Sequence, residues 1–236
     1  MANIITRNIP NAITCCNLLS GCVATAFAFD GNARYALAFI ILGAVFDFFD
    51  GMCARLLNVS SPIGKELDSL ADDVTFGVAP ATMVFTLLFQ IKYPVCMEGM
   101  RELLPYAAFL IAAFSALRLA KFNIDERQAT SFIGLPTPAN ALFWGSLIVG
   151  LGTRLSHFQY ALPAILILIL LSCWMLVAEI PLFALKFKQW GWKGNEVKYI
   201  FIVSSILLII ILGTAGLSVA IVWYVLLSLY TNTKNR

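Results

Sequence analysis

The chain reads as an all-α protein, a polytopic transmembrane bundle of about eight helices with both termini on the cytoplasmic side. Three observations lead there. Of its 236 residues 60% are hydrophobic and only 12% are charged, whereas a soluble domain carries about twice that charge. Apolar stretches of about 18 residues or more recur, each long enough to cross a hydrocarbon core roughly 30 Å thick as a helix that satisfies its own backbone. Basic residues, finally, gather on one side of those stretches.

The predicted spans are 12–29, 34–54, 66–91, 103–121, 138–153, 159–179, 198–213 and 216–231. The first follows a polar start but contains Asn17 and lacks a small-residue cleavage site, so it is read as a helix of the mature protein and not as a secretory signal. With the N-terminus inside, twelve basic residues are cytoplasmic: Arg7, Arg55, Lys65, Arg118, Lys121, Arg127, Lys186, Lys188, Lys193, Lys198, Lys234 and Arg236. Four, Arg34, Lys92, Arg101 and Arg154, lie opposite. This is the positive-inside pattern, and an odd number of helices would destroy it. No repeat, low-complexity tract or long hydrophilic stretch divides the chain, so residues 1–236 are expected to form a single membrane domain. The segment Lys186 to Lys198, with Trp190 and Trp192, reads as an interfacial stretch in contact with membrane lipids or as ordinary anchoring. The six cysteines lie mostly in or beside apolar spans and behave as small hydrophobes. The one histidine, His157, makes a histidine-built metal site improbable on numbers alone. No nucleic-acid partner is expected.

The chemistry concentrates in DFFDGMCARLLNVSSPIGKELDSLAD, Asp47 to Asp72. Asp47, Asp50, Gly51, Ala54 and Arg55 share one helical face at i, i+3, i+4, i+7 and i+8; Gly64, Asp68 and Asp72 share another at i, i+4 and i+8. A short hairpin around Asn58 to Pro62 can turn the two faces toward each other, placing four carboxylates in one cleft at the cytoplasmic ends of two helices. Repulsion and desolvation would make such a cluster strongly unfavourable without a cation. An all-oxygen site suits a hard divalent ion, Mg²⁺ or Mn²⁺, and such ions commonly share carboxylates with phosphate oxygens, which points to a phosphoanhydride substrate. Gly51, Ala54 and Gly64 leave room for a nucleotide on the same faces. The competing reading is a set of salt bridges from the aspartates to Arg55, Lys65, Arg118 and Lys121 in a transporter or scaffold. Glu66 and Asp73 sit off these faces, where solvation or local pairing is the simpler account.

These residues resemble the signature of the CDP-alcohol phosphatidyltransferase family, D-x2-D-G-x2-A-R-x8-G-x3-D-x3-D, at all eight fixed positions: Asp47, Asp50, Gly51, Ala54, Arg55, Gly64, Asp68 and Asp72. The resemblance implies a two-metal centre on the four aspartates, a cytidine site bordered by the glycines and alanine, Asp72 as general base, and a homodimer. Further segments are similar to the phosphatidylserine synthase branch: Ile9 to Thr14 with Asn17-Leu18, Leu67 to Ala81, Arg118 to Asn123, and Phe132 to Pro138. That branch implies CDP-diacylglycerol and L-serine as substrates, in the cell (inner) membrane, with the active site on the cytoplasmic side. Sister transferases would use glycerol 3-phosphate or inositol phosphate, acceptors that need a denser basic pocket than the chain offers; a cation transporter would not need the Gly, Ala and Arg positions.

Arg118 and Lys121, i and i+3 on one face, are suited to an anion, either the lipid phosphate or the serine carboxylate, or else they are positive-inside anchors. Asn123 and Thr137 can add neutral hydrogen bonds. Asn11 and Thr14 can reach the cytidine or diphosphate, or cap the first helix.

Overall fold

The two N-terminal helices, α1 (Ile4–Phe29) and α2 (Ala33–Leu56), form an antiparallel pair, joined by a tight turn in which Gly31 adopts φ +73°. The computed structural model describes residues 4–59, 61–125, 132–183, 191–192 and 195–234. After α2 come α3 (Pro62–Asp72), a π turn (Asp73–Val78) and α4 (Ala79–Gln90) as one continuous run, then two short 3₁₀ segments (Val95–Met100 and Leu104–Phe109) leading into α5 (Leu110–Ile124). Helices α6 (Thr137–His157), α7 (Ala161–Val177), α8 (Glu196–Leu212) and α9 (Thr214–Lys234) complete the described bundle.

Each expected span lies over one helical run. Five runs are long and apolar enough to cross a membrane: Asn8–Phe29, Ala33–Leu56, Pro62–Gln90, Leu104–Ile124 and Thr214–Asn232. Of the other three, α7 and α8 have 17 residues each, and α6 carries Thr137, Asn140, Ser146 and Arg154 among its apolar residues. This is an integral membrane protein of all-α architecture. The largest departure from the expected ends is at α1, which begins at Ile4 and not at residue 12, with Pro10 inside the helix. One feature has no counterpart in the expected spans: a two-residue antiparallel pairing of Phe132–Ile133 with Pro181–Leu182. Of the expected interfacial stretch Lys186 to Lys198, residues 186–190, 193 and 194 lie outside the described residues, as does Arg127; Trp192 is exposed and stacks on Tyr199 at 5.5 Å.

The interior is built around Trp144, Phe76, Ile40, Leu88, Ile111 and Leu162, all fully buried. Ile41, Val45 and Phe48 of α2 and Ile206, Ile210 and Ile211 of α8 are exposed, as side chains facing lipid should be. One set of interior polar groups is paired across helices: Trp144 Nε1 donates to Ser172 Oγ (3.1 Å), which donates to Asn140 Oδ1 (2.7 Å), tying α6 to α7.

The π turn shapes the region between α1, α2 and α3. Pro80 has no N–H, and in a regular α-helix its ring would clash with the carbonyl four residues back; the widened turn, in which Ala79 N–H donates to Val74 O, absorbs that conflict. Thr75 of the turn is driven between α1 and α2, where Gly43 makes room: a Cβ there would stand 2.5 Å from Thr75 Cγ2 and 2.9 Å from Asn17 Oδ1. Its hydroxyl donates to Asn17 O at 3.0 Å.

Candidate active site

Helix α2 ends as a Schellman motif. Asn58 adopts φ 50°, Val59 N–H donates to Ala54 O (3.0 Å) and Asn58 N–H to Arg55 O (3.3 Å), giving two of the end carbonyls a partner. Helix α3 opens with Ser61 as N-cap, its Oγ accepting from Gly64 N–H at 3.0 Å, and Pro62 in the first turn. These two caps make the hairpin that the spacing calls for. Carboxylate oxygens of Asp47, Asp50 and Asp68 converge within 4.8 Å of one another.

Asp72 stands one turn further along α3. It is outside that three-carboxylate group, buried, and close enough to feel the charges of Asp47, Asp68 and Asp50. Helix α1 supports both ends of the cluster: Thr14 Oγ1 donates to Asp50 Oδ2 at 2.6 Å, and Asn17 Nδ2 donates to Asp72 Oδ1 at 3.1 Å. Among the described residues, Arg55, Lys65, Arg118 and Lys121 form no ion pair with any of the four aspartates, so the salt-bridge reading does not describe this cleft. Converging carboxylates without a protein cation are the donor set a divalent ion takes.

Beside them opens a cavity of about 210 Å³, lined by Pro10, Asn11 and Thr14 of α1, Asp50, Gly51 and Ala54 of α2, Val59 and Ser61 of the hairpin, and Gly64, Lys65 and Asp68 of α3. Seven residues expected at a nucleotide or metal site therefore share one wall. The small residues serve different purposes. A Cβ on Gly51 would meet nothing within 4 Å, so its hydrogen faces open cavity; one on Gly64 would crowd Asn11 Oδ1 at 2.9 Å and Ser61 Oγ at 3.0 Å. Because α1 starts at Ile4, Asn11 and Thr14 lie well inside the helix and cannot cap it.

Arg118 and Lys121 line a second cavity of about 360 Å³ with Ile124, Asp125, Ile133, Leu176, Val177, Ala178 and Glu179. The two cations differ sharply. Arg118 is 8% exposed, donates from Nη1 to Thr137 Oγ1 at 3.4 Å, lies over the Phe122 ring at 5.3 Å, and leaves its Nε without a partner among the described residues. Lys121 is exposed.

Three residues expected to bind substrate lie outside both cavities. Arg55 turns back along its helix to donate from Nε to Gly51 O (2.9 Å). Thr137 is fully buried and accepts from Arg118, and Asn123 spends its amide on Ser69 Oγ at 2.8 Å. Glu66 is exposed. Asp73, the first residue of the π turn, lies off the face of Asp72 as the spacing implies and approaches Gly77 and Ser115 of α5; its Oδ1 has no partner among the described residues.

Asn17 and Lys65 carried no site role on sequence grounds. For Asn17 a signal existed: Pro10, Thr14, Asn17 and Gly21 fall at i, i+4, i+7 and i+11, one face of an otherwise apolar helix, and a polar group at that position is functional by default.

The CDP-alcohol phosphatidyltransferase family model matches residues 7–185. Among curated relatives, the CDP-diacylglycerol–serine O-phosphatidyltransferase of Bacillus subtilis is 41% identical over 130 residues, 55% of this chain and 69% of that protein. The enzyme of the same name from Mycobacterium tuberculosis H37Rv is 36% identical over 141 residues, covering 57% of this chain and 46% of its own. That of Saccharomyces cerevisiae is 40% identical over 124 residues, 48% and 41% respectively. This chain thus spans less than half the length of the latter two. The family match begins where α1 approaches the carboxylates and runs beyond the end of α7, through every element that builds both cavities, and the protein belongs to the CDP-alcohol phosphatidyltransferase family.

Proposed function

We propose that the protein transfers the phosphatidyl group of CDP-diacylglycerol to L-serine, giving phosphatidylserine and CMP. The observation that carries this reading is the shared wall: carboxylates for a metal, small residues for a nucleotide and polar groups of α1 all border one cavity at the end of two apolar helices. The serine acceptor is supported by the three curated relatives named above, each of which carries the serine enzyme's name.

Asp47, Asp50 and Asp68, with Asp72, would hold two divalent ions, Mg²⁺ or Mn²⁺, whose chemistry is to neutralise the diphosphate and polarise its phosphorus. The chain's own residues do the rest. Asn11, Thr14, Gly51, Ala54 and Gly64 seat the cytidine and diphosphate, with Thr14 holding Asp50 in place. Asp72, oriented by Asn17, takes the proton of the serine hydroxyl as that oxygen bonds to the diacylglycerol-bearing phosphorus and the bond to CMP breaks. Arg118 and Lys121 offer charge for the serine carboxylate, with Arg118 fixed by Thr137. The acyl chains remain in lipid, and the acidic site faces the cytoplasm, in the inner membrane, where water-soluble serine arrives. A homodimer is what the family resemblance implies.

Purified protein in detergent–lipid micelles, supplied with labelled serine, CDP-diacylglycerol and Mn²⁺ or Mg²⁺, should form labelled phosphatidylserine and release CMP in equal amounts. CMP release with glycerol 3-phosphate and not with serine would move the protein to a sister activity and leave the carboxylate chemistry standing.

A further inference from the structure

Of the residues lining the smaller cavity, Lys65 is the single cation; it shares that lining with Asp50 and Asp68 and, among the described residues, forms no ion pair with either. Its position is prepared on three sides. Its backbone N–H closes the capped first turn of α3, donating to Ser61 O at 3.2 Å. Its ammonium donates to Asn123 O at 2.7 Å, a carbonyl in the last turn of α5 that no following helical N–H can reach. One turn on, Ser69 Oγ bonds to Lys65 O (3.3 Å) and accepts from Asn123 Nδ2 (2.8 Å), so the stem of the lysine and the carbonyl that holds its head belong to one closed set of bonds.

An ammonium has three donors, and among the described residues one is used. A lysine serving only as a tether would need no place on a nucleotide cavity. A lysine serving only as a surface charge would not be held by a closed loop of hydrogen bonds between two helices. We propose that Lys65 is a binding residue for the donor substrate: anchored by Asn123 O, it directs its remaining N–H groups at the non-bridging oxygens of the diphosphate of CDP-diacylglycerol. This rests on the donor substrate proposed above and adds a contact outside the eight-residue signature. The first turn of α3, whose N–H end borders the same cavity, adds a favourable field for the same anion. Arg55, the nearest other cation in sequence to this hairpin, is committed to Gly51 O and does not line the cavity.

The test compares Lys65→Met and Lys65→Arg in the full-length protein, by calorimetric titration with CDP and with cytidine, and by steady-state kinetics. For Lys65→Met the expected results are a ten-fold or greater rise in the Kd of CDP with little change for cytidine, a similar rise in the KM of CDP-diacylglycerol, and a serine KM within about two-fold of the wild type. Lys65→Arg should recover most of the CDP affinity. Unchanged CDP affinity in Lys65→Met, or equal losses for CDP and cytidine with a lowered Tm, would overturn the proposal and leave Lys65 as a strut between α3 and α5. If wild-type protein binds CDP in this Lys65-dependent way yet ignores serine, the donor contact stands and the acceptor assignment fails.

Discussion

Asn17 holds Asp72 with its side chain and Thr75 with its backbone: Nδ2 donates to Asp72 Oδ1 at 3.1 Å while the carbonyl accepts from Thr75 Oγ1 at 3.0 Å. A single residue of α1 thus sets both the orientation of the proposed base and the start of the π turn behind it. Asn17→Ala removes the first bond and keeps the second. It should lower kcat by about ten- to a hundred-fold, the range for one hydrogen bond to a charged group, with both KM values nearly unchanged. Asp72→Asn should cost about 10²–10⁴ in kcat without loss of folding. In the Asp72→Asn background the Asn17 change should then add little, because its effect passes through the carboxylate; full additivity would show that Asn17 acts elsewhere.

Gly51 separates stability from activity. It lies inside α2, where alanine is favoured over glycine by about 1 kcal/mol, and a Cβ there meets nothing within 4 Å. Gly51→Ala should raise the Tm slightly while raising the KM for CDP-diacylglycerol, since the methyl group occupies cavity space. A destabilised Gly51→Ala protein would contradict the open surroundings seen at this position.

The three-carboxylate group gives a metal prediction. EDTA should abolish turnover, and Asp68→Ala should increase the Mg²⁺ or Mn²⁺ concentration needed for half-maximal rate together with the KM for CDP-diacylglycerol. Equal activity in EDTA and in metal would rule out a metal centre here.

Arg118 and Lys121 should not behave alike, although both line the same cavity. Arg118 is buried and held by Thr137; Lys121 is exposed. Arg118→Ala is therefore expected to raise the serine KM by roughly ten- to a hundred-fold and the CDP-diacylglycerol KM far less, with a smaller effect from Lys121→Ala. The reverse order of substrates would assign Arg118 to the lipid phosphate.

Much of the site could be read from sequence because its parts are local. Asp47, Asp50, Gly51 and Ala54 are one or two turns apart on α2, Gly64 and Asp68 one turn apart on α3, and the hairpin between them is short, so helical periodicity alone brings them together. What escaped depends on packing between distant segments. Nothing in the spacing tells that Asn17 meets Asp72 across 55 positions, that Lys65 reaches Asn123 across 58, or that Asn123 is already engaged by Ser69. The start of α1 escaped because Asn11 and Pro10 resemble a helix boundary, while Pro10 sits inside the helix. The π turn escaped because its six residues are too few to register as a change of period.

The run from Pro62 to Gln90 has 29 residues. At 1.5 Å per residue it is about 43 Å long, more than ten ångströms beyond the hydrocarbon thickness. Asp68 lies within its first seven residues and Asp72 ends α3, so the surplus length can lift Asp68 to the depth of the headgroups and bring Asp72 to their inner edge. The donor is then met in two dimensions. Its effective concentration is its mole fraction in the bilayer, and diluting CDP-diacylglycerol with inert lipid at constant bulk concentration should slow the enzyme, whereas adding buffer at constant surface composition should not.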